Sequence, residues 1–435
     1  MKRLIVVIFL AFNYINCQEN KFEKLNLYFE ELEQNEKAMG AVSIFQDGIE
    51  VYSNFIGYSN NAKKIKSSRE TVYRIGSISK TFTASLIMKA IEMKKLSLKT
   101  NLSEFFPKVI NSDLITIEML LNHSSGIKEI TKVVDFESWK MNFTTKVKLL
   151  DTIYDLPSLF NPGEKSEYSN TNYILLSLIL EHVFNKNFNS ILENLICIPC
   201  DLKQTYYSYN SVITKNEALS YVNSINSEEA ESTHLSIPIG AGGIISSAID
   251  LGKFLNCLFE NKFLSKSTTD KMIQIEDKYG FGLFEVPFYD KRGFGHTGGI
   301  DGFQANAFFF PDDNMTVSYV SNGVITPVND IMIAILSIYF ELDYSIPKHK
   351  KYLPSDLSKL VGEYSSSSID LNVEIKLKND TLFLKTIQGE IPLESNENFV
   401  FTYRRAGLEL IFNIYEKPQQ LILKQRDVEI TYKKN

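Results

Sequence analysis

Apolar residues alternate as in strands at both ends of residues 18–345, with helical spacing between. Residues 41–45 and 51–57 predict two strands joined by a turn, and residues 303–310 and 315–321 predict two more. We therefore predict an α/β fold. Its antiparallel sheet is built from both ends of the domain, flanked by helices and interrupted by a helical insertion.

Helical spacing of apolar residues marks several stretches of this region. One helix is predicted from behind Ser77 to about Met93, a second from Thr171 to Phe184, and a third from Ser246 to about Phe259. Residues 331–342 close the region as an apolar helix, and the charged residues 19–36 also favour a helix.

The spacing of apolar residues changes again near the end of the chain, from helical to strand-like. Residues 346–354 are rich in lysine and proline and predict a linker. Beyond them, short segments have an apolar residue at every second position, and turn signals such as Lys378-Asn379-Asp380 separate these segments. We therefore predict a separate, barrel-like all-β domain over residues 355–435, which carries no recognisable catalytic motif.

Composition and charge narrow the class of protein. The 435 residues are 44% hydrophobic and 23% charged, which is typical of a soluble globular protein with room for a large core. There are 46 basic and 52 acidic residues, giving a net charge of -6. Because no basic surplus is present, nucleic acid is not an expected partner.

The N-terminus has the pattern of an export signal. Lys2 and Arg3 precede a short apolar run, and polar residues then lead to Cys17. The run is too short to span a bilayer. We predict a signal peptide over residues 1–17, with cleavage after Cys17. The alternative is that Cys17 becomes the lipid-bearing first residue of a membrane-attached lipoprotein. Either route predicts a periplasmic or secreted protein.

Four cysteines occur in the sequence. Cys197 and Cys200 have the C-x-x-C spacing of redox and zinc sites, but neither a second pair of ligands nor a βαβ context accompanies them. We therefore expect a local disulfide or buried thiols there and no metal site. Cys257 falls in an apolar helical pattern, so we expect a core thiol.

Candidate chemistry centres on Ser77 and Lys80. Positions i and i+3 share one face of a helix, so this spacing brings the lysine amine towards the serine hydroxyl. A serine is a weak nucleophile until a nearby base takes its proton, and a lysine is a base only when its neutral form is favoured. The pair alone is a weak signal, because Ser-x-x-Lys often occurs by chance.

Two further motifs follow in chain order, Tyr168-Ser169-Asn170 and His296-Thr297-Gly298. With Ser77-x-x-Lys80 they resemble the penicillin-recognising serine hydrolases, which include class C β-lactamases, D-alanyl-D-alanine carboxypeptidases and related esterases. The resemblance covers about residues 35 to 340. It is reinforced by Leu120-Leu121-Asn122-His123-Ser124-Ser125-Gly126, Pro162-Gly163 and Gly242-Gly243.

The resemblance implies a role for each motif residue. Ser77 would attack a carbonyl and carry the acyl group, and Lys80 and Tyr168 would handle the proton, with either as the general base. His296 is the fourth implied catalytic residue, near Tyr168 and any substrate carboxylate. Asn170, Thr297 and Gly298 would bind the substrate, with Asn170 also hydrogen-bonded to Lys80. The backbone N–H groups of Ser77 and Gly299 would form an oxyanion hole.

One residue departs from the pattern of many β-lactamases. His296 stands where these have lysine, and a mostly neutral imidazole binds a substrate carboxylate less firmly. We therefore expect an exported serine hydrolase for a small ester or amide, resembling an esterase, a D-amino-acid peptidase or a carboxypeptidase. A β-lactamase and a non-catalytic binding or assembly protein are the alternatives. No cofactor or metal is expected, and the substrate is a small molecule or peptide.

Overall fold

The computed structural model describes residues 21–211, 214–222, 228–275, 277–369, 371–386, 389–403, 406–426 and 428–435. The predicted signal peptide and Cys17 lie outside these residues. Contacts divide the described chain into two compact units. The first contains residues 21–22 and Glu36–Leu342, and the second contains Asp343–Asn435 together with Glu23–Asn35.

The helix at residues 21–34, here α1, therefore belongs mostly to the second unit, although the sequence-based domain of 18–345 includes it. Its ring of Tyr28 packs edge-on against Tyr344, with centroids 5.9 Å apart. Glu31 accepts a hydrogen bond from the backbone N–H of His349 at 2.6 Å. These contacts join residues far apart in sequence, which is why periodicity did not reveal them.

Helices of the first unit lie mainly between its early and late strands, as predicted. Their apolar faces pack together, and the rings of Phe82 and Phe254 stack with centroids 3.7 Å apart. The described helices after α1 are α2 (Ser79–Glu92), α3 (Ile117–Leu121), α4 (Phe136–Trp139), α5 (Lys146–Tyr154), α6 (Asn170–Phe184), α7 (Phe188–Leu192), α8 (Ile239–Gly242), α9 (Ala248–Phe259), α10 (Lys266–Met272), α11 (Val328–Tyr339) and α12 (Pro354–Leu357).

Among the described residues, the first unit contains a six-stranded antiparallel sheet in the order β2-β1-β11-β10-β9-β8. The prediction of a sheet built from both ends is confirmed, because Val42 of β1 pairs with Tyr319 of β11. The strands of this unit are β1 (Ala38–Gln46), β2 (Ile49–Ile56), β3 (Tyr58–Asn60), β4 (Ile65–Lys66), β5 (Tyr73–Arg74), β6 (Tyr206–Tyr207), β7 (Ile244–Ser246), β8 (Phe284–Phe288), β9 (Lys291–Ile300), β10 (Phe303–Phe310) and β11 (Met315–Val324).

The second unit has the predicted barrel-like form. Its described strands make one antiparallel sheet in the order β15-β14-β13-β12-β20-β19-β18-β17-β16, around a core that includes Tyr364, Leu410 and Tyr432. The sheet is nearly closed, because its two edge strands, β15 and β16, follow one another in the chain with only Leu393 between them. The strands are β12 (Gly362–Ser365), β13 (Val373–Lys378), β14 (Thr381–Thr386), β15 (Gly389–Pro392), β16 (Glu394–Asn396), β17 (Val400–Tyr403), β18 (Leu408–Asn413), β19 (Gln420–Gln425) and β20 (Val428–Lys434).

The prediction of buried thiols is confirmed at Cys197 alone, whereas the predictions of a local disulfide and of a core thiol at Cys257 were wrong. Cys200 forms a disulfide with Cys257, 57 residues away, and Cys197 is a free, buried thiol. Cys197 ends a π-helical turn and points its sulfur towards the carbonyl of Thr205. Cys200 instead faces α9, so the bond ties this turn to that helix.

No described helix combines the length and apolar character needed to cross a membrane. No cluster of described His, Cys, Asp and Glu side chains has the arrangement of a metal site.

Candidate active site

Ser77 lies in a short 3₁₀ turn, Gly76–Ile78, that runs directly into α2. The turn begins with Gly76 at φ 52°, a left-handed conformation in which glycine is favoured. A Cβ at this position would lie 2.6 Å from the backbone nitrogen of Gly299, so the turn and strand β9 approach too closely for a larger residue. Ser77 is thereby held partly exposed beside the backbone of β9.

Lys80 follows one helical turn later and is completely buried. Its Nζ lies 3.1 Å from Ser77 Oγ, 2.6 Å from Asn170 Oδ1 and 2.6 Å from the carbonyl oxygen of Ala241. Burial lowers the pKa of Lys80 to about 7, and the carboxylate of Glu129 opposes that shift. The neutral amine is therefore populated near neutral pH.

The third contact of Lys80 depends on close packing behind α2. Thr83 Oγ1 donates to the carbonyl of Gly240 at 2.8 Å. A Cβ on Gly240 would lie 2.2 Å from that Thr83 oxygen and 2.5 Å from Ser177 Oγ. The glycine lets helix α8 lie directly on α2 and α6, which brings the Ala241 carbonyl to Lys80.

Tyr168 approaches the same serine from the other side. Its hydroxyl lies 2.6 Å from Ser77 Oγ, and Lys80 Nζ lies 4.8 Å from the centre of its ring. Burial raises the pKa of Tyr168 above its ordinary value, so the phenol keeps its proton at neutral pH. Ser77 is thus within hydrogen-bonding distance of both an amine and a phenol.

The edge of β9 forms the opposite wall of the site. Strand β8 pairs with β9 only as far as Gly295, which leaves residues 296–300 with a free edge on that side. Gly298 packs against the nucleophile turn, and a Cβ there would lie 2.0 Å from the carbonyl of Ile75. Thr297 and Gly299 belong to the same stretch, and Gly299 is exposed.

His296 lies one layer behind the reacting groups. Its ring centroid is 6.3 Å from that of Tyr168, and its Nδ1 donates to the carbonyl of Thr297. Burial, together with the nearby Lys80, lowers the pKa of His296 to about 3. The imidazole is therefore neutral, with its proton on Nδ1 and a lone pair on Nε2.

A cleft of about 240 Å³ opens beside Ser77, and Asn170 and Gly299 also line it. Its charged side chains are internally paired. Lys140 contacts Glu137 at 2.5 Å, and Asp301 lies 3.5 Å from the guanidinium of Arg74. Its other walls are Ile130, Thr131, Phe136, Ile174, Thr233, Ile237, Pro238, Ala241, Gly242 and Ile300.

Two aromatic rings support Tyr168 from behind, and the sequence pointed to only one of them. The ring of His123 is tilted against that of Tyr168 with centroids 4.6 Å apart, and Tyr279 packs edge-on against His123 at 5.0 Å. Nδ1 of His123 accepts from the backbone N–H of Ser169, and burial lowers its pKa well below the ordinary value. The family-like motif around His123 was visible in the sequence, whereas nothing marked Tyr279.

Glu129 was also missed. It is buried, and it accepts a hydrogen bond from the backbone N–H of Asn170 at 2.5 Å. A glutamate in a loop carries no sequence signal for such a contact, which joins positions 41 residues apart. The arrangement as a whole suits nucleophilic attack by a serine flanked by an amine and a phenol.

Comparison with known proteins adds a family match and related sequences. The model of the family described as Beta-lactamase matches residues 26–336. The chain is 26% identical to penicillin-binding protein 4* of Bacillus subtilis strain 168, over 92% of this chain and 95% of that protein. It is 24% identical to the teichoic acid D-alanine hydrolase of Staphylococcus aureus, over 66% of this chain and 71% of that protein.

The fold also resembles a solved structure, the D-amino acid amidase of Ochrobactrum anthropi SV3 complexed with D-phenylalanine. The TM-score is 0.65 at 21% sequence identity, over 73% of this chain and 98% of that one. This likeness concerns the fold.

Proposed function

The chain belongs to the beta-lactamase family, and from that premise we propose that it is a serine hydrolase that forms an acyl-enzyme on Ser77. Its substrate is a small ester or amide of a D-amino acid. The observation that carries the proposal is the position of Ser77 Oγ, 3.1 Å from Lys80 Nζ and 2.6 Å from the Tyr168 hydroxyl. Both distances allow direct proton transfer.

Hydrogen-bond counting supports Lys80 as the base. A neutral amine has two N–H groups and one lone pair. Asn170 Oδ1 and the Ala241 carbonyl accept the two N–H groups. The lone pair is then left for the Ser77 hydroxyl, which donates its proton to Lys80 as its oxygen attacks the substrate carbonyl.

Tyr168 suits the opposite task. Its phenol is protonated at neutral pH and donates to Ser77 Oγ in the resting site. After attack, it delivers a proton to the leaving ester oxygen or amide nitrogen and recovers one through Lys80. A water molecule then replaces the leaving group, and the same pair reverses its roles to hydrolyse the acyl-enzyme.

The oxyanion is held by the backbone N–H groups of Ser77 and Gly299. The close approach of Gly76 to Gly299 supports this assignment, because it places the two backbones side by side. Two preorganised N–H donors stabilise the charge that develops on the carbonyl oxygen in the transition state. Asn170 and Thr297 contact the bound substrate.

Neutral leaving groups are favoured over carboxylate-bearing ones. His296 is uncharged at working pH, and Lys140 in the cleft is already paired with Glu137. A substrate carboxylate, as in penicillins or C-terminal D-alanine, finds no free cation among the described cleft residues. The names of the D-alanine hydrolase and D-amino acid amidase relatives support a D-aminoacyl ester or amide instead.

We also propose that the protein works outside the cytoplasm. The N-terminal pattern of Lys2, Arg3 and an apolar run supports export, and the Cys200–Cys257 disulfide suits an oxidising compartment. Lipid attachment at Cys17 remains the alternative to cleavage after it.

A panel of substrates tests the proposal. D- and L-phenylalanyl amides and nitrophenyl esters, a D-alanyl-D-alanine peptide and a chromogenic cephalosporin are compared on the wild type and Ser77→Ala. We expect the wild type to turn over the D-aminoacyl esters and amides faster than the other substrates of the panel, and we expect this activity to be lost in Ser77→Ala. Ser79→Ala, which alters a buried hydroxyl bonded to the backbone N–H of Ile244, is the control. Faster turnover of the cephalosporin would point to a β-lactamase.

A further inference from the structure

Helix α6 begins at Asn170 without the usual local cap. Ser169 occupies the N-cap position, yet its side chain makes no capping hydrogen bond. Ser169 Oγ is buried and has no hydrogen-bond partner among the described residues. Glu129 supplies the cap from another segment, since its Oε2 accepts from the backbone N–H of Asn170 at 2.5 Å.

The loop that carries Glu129 is fixed to the same end of the helix. Glu129 Oε1 accepts from the backbone N–H of Thr131 at 3.0 Å, so both carboxylate oxygens are engaged. Thr171 Oγ1 accepts from Ile130 N–H and donates to the Lys128 carbonyl. Glu129 is 6% exposed, and its hydrogen bonds hold the carboxylate over the first turn of α6.

Asn170 connects this carboxylate to the proposed base. Its backbone donates to Glu129, and its side-chain oxygen accepts from Lys80 Nζ at 2.6 Å. We propose that Glu129 is a positioning residue that fixes Asn170 towards Lys80, and that its negative charge favours the protonated form of this buried amine. The inference rests on the proposed acyl-enzyme function.

The charge of Glu129 acts against the other groups around Lys80. Burial favours the neutral amine, and the Glu129 carboxylate favours the charged one. The groups that face Lys80 from the neighbouring elements are the rings of Tyr168 and Tyr173, the buried imidazoles of His123 and His296, and Asn170. Removing the carboxylate therefore lowers the pKa of Lys80 further, and the neutral base is available at lower pH.

The test measures the rate constant of Ser77 acylation by a fluorophosphonate as a function of pH. In Glu129→Gln, the rise of the acylation rate constant with pH (the acidic limb of the profile) is expected to occur about half a pH unit or more lower than in the wild type. The maximal rate constant at high pH (the plateau) is also expected to be lower, because Asn170 is less firmly held. Glu129→Asp keeps the negative charge on a shorter side chain. Its acidic limb is therefore expected at the wild-type pH, and only its maximal rate constant is expected to fall.

Glu181→Gln is the matched control. Glu181 also caps a helix from outside, accepting from Phe188 N–H at 2.9 Å, and it pairs with a lysine, Lys146, at 2.5 Å. It has no contact with Asn170, so its removal leaves the acidic limb unchanged.

Each outcome has a defined meaning. A Glu129→Gln limb at the wild-type position, or at higher pH, overturns the inference and leaves the acyl-enzyme proposal standing. If Glu129→Gln does not fold, as judged by Trp139 fluorescence, the Glu129→Asp variant is used instead. A maximal acylation rate constant equal to that of the wild type in Glu129→Asp overturns the inference. Absence of Ser77 labelling in the wild type would instead contradict the proposed function.

Discussion

The Nζ atom of Lys80 lies 2.6 Å from the backbone carbonyl oxygen of Ala241, with no exposure to solvent. A buried amine bonded to a fixed carbonyl is held in one orientation. With Asn170 taking a second N–H, its lone pair is directed at Ser77.

The pH dependence of hydrolysis should report the ionisation of Lys80. The base must be neutral, and burial lowers the pKa of Lys80 to about 7. We therefore expect kcat/KM for a neutral ester to rise with pH through an apparent pKa near that value and to level off above it. A profile that is flat between about pH 5 and pH 9 would exclude a lysine base of this kind.

Stability should depend on Lys80 in the same pH range. Between about pH 7 and the ordinary lysine pKa of about 10.4, the unfolded chain binds a proton that folded Lys80 does not, so raising the pH stabilises the fold. Relative to Lys80→Met, the wild type should gain about 2 to 3 kcal/mol of unfolding free energy from about pH 7 to pH 9.

The measurement is urea unfolding followed by fluorescence of Trp139, the single tryptophan of the sequence, which lies in the first unit. Since Lys80→Met also removes the donors to Asn170 and Ala241, only the change with pH is informative. A difference that does not vary with pH would show that Lys80 keeps an ordinary pKa.

Tyr168→Phe should remove the proton donor while keeping the ring that packs on His123. We expect kcat for an amide to fall by about 10²- to 10⁴-fold, which is the usual contribution of a general acid or base. Tyr279→Phe is the control, since that ring packs 6.1 Å from Tyr168 in the same cluster. Equal losses in the two variants would mean that the phenol of Tyr168 has only a packing role.

Gly298 and Gly299 offer a steric comparison at adjacent positions. A Cβ at Gly298 would lie 2.0 Å from the Ile75 carbonyl, whereas a Cβ at Gly299 would lie no closer than 4.0 Å to the Phe303 carbonyl. Gly298→Ala should therefore destabilise the first unit by about 1 to 3 kcal/mol. Gly299→Ala should leave its unfolding midpoint nearly unchanged. A reversed order would contradict the described packing of β9 on the nucleophile turn.

The periodicity of apolar residues was enough to predict the main helices and strands of the first unit, but not the contacts between distant residues. The helix behind Ser77, the helix after Tyr168 and the paired end strands follow from periodicity, because each buries one regular face. Periodicity says nothing about partners distant in sequence. The Cys200–Cys257 bond and the Glu129 cap on Asn170 were therefore out of reach.

The sequence also does not show how deeply each titratable side chain is buried. The charge on His296 and the proton affinity of Lys80 depend on how much water the fold excludes, which no motif encodes. The sequence therefore left open whether Lys80 or Tyr168 is the base, and the hydrogen-bond partners of Lys80 now favour the lysine.

The most direct test of the account is the intact mass of the protein, quenched in acid within the first turnovers of a D-aminoacyl ester. We predict an added D-aminoacyl group on the wild type, mapped by peptide analysis to Ser77 and absent from Ser77→Ala. Turnover without any added mass, or an acyl group on another residue that persists in Ser77→Ala, would contradict nucleophilic catalysis by Ser77.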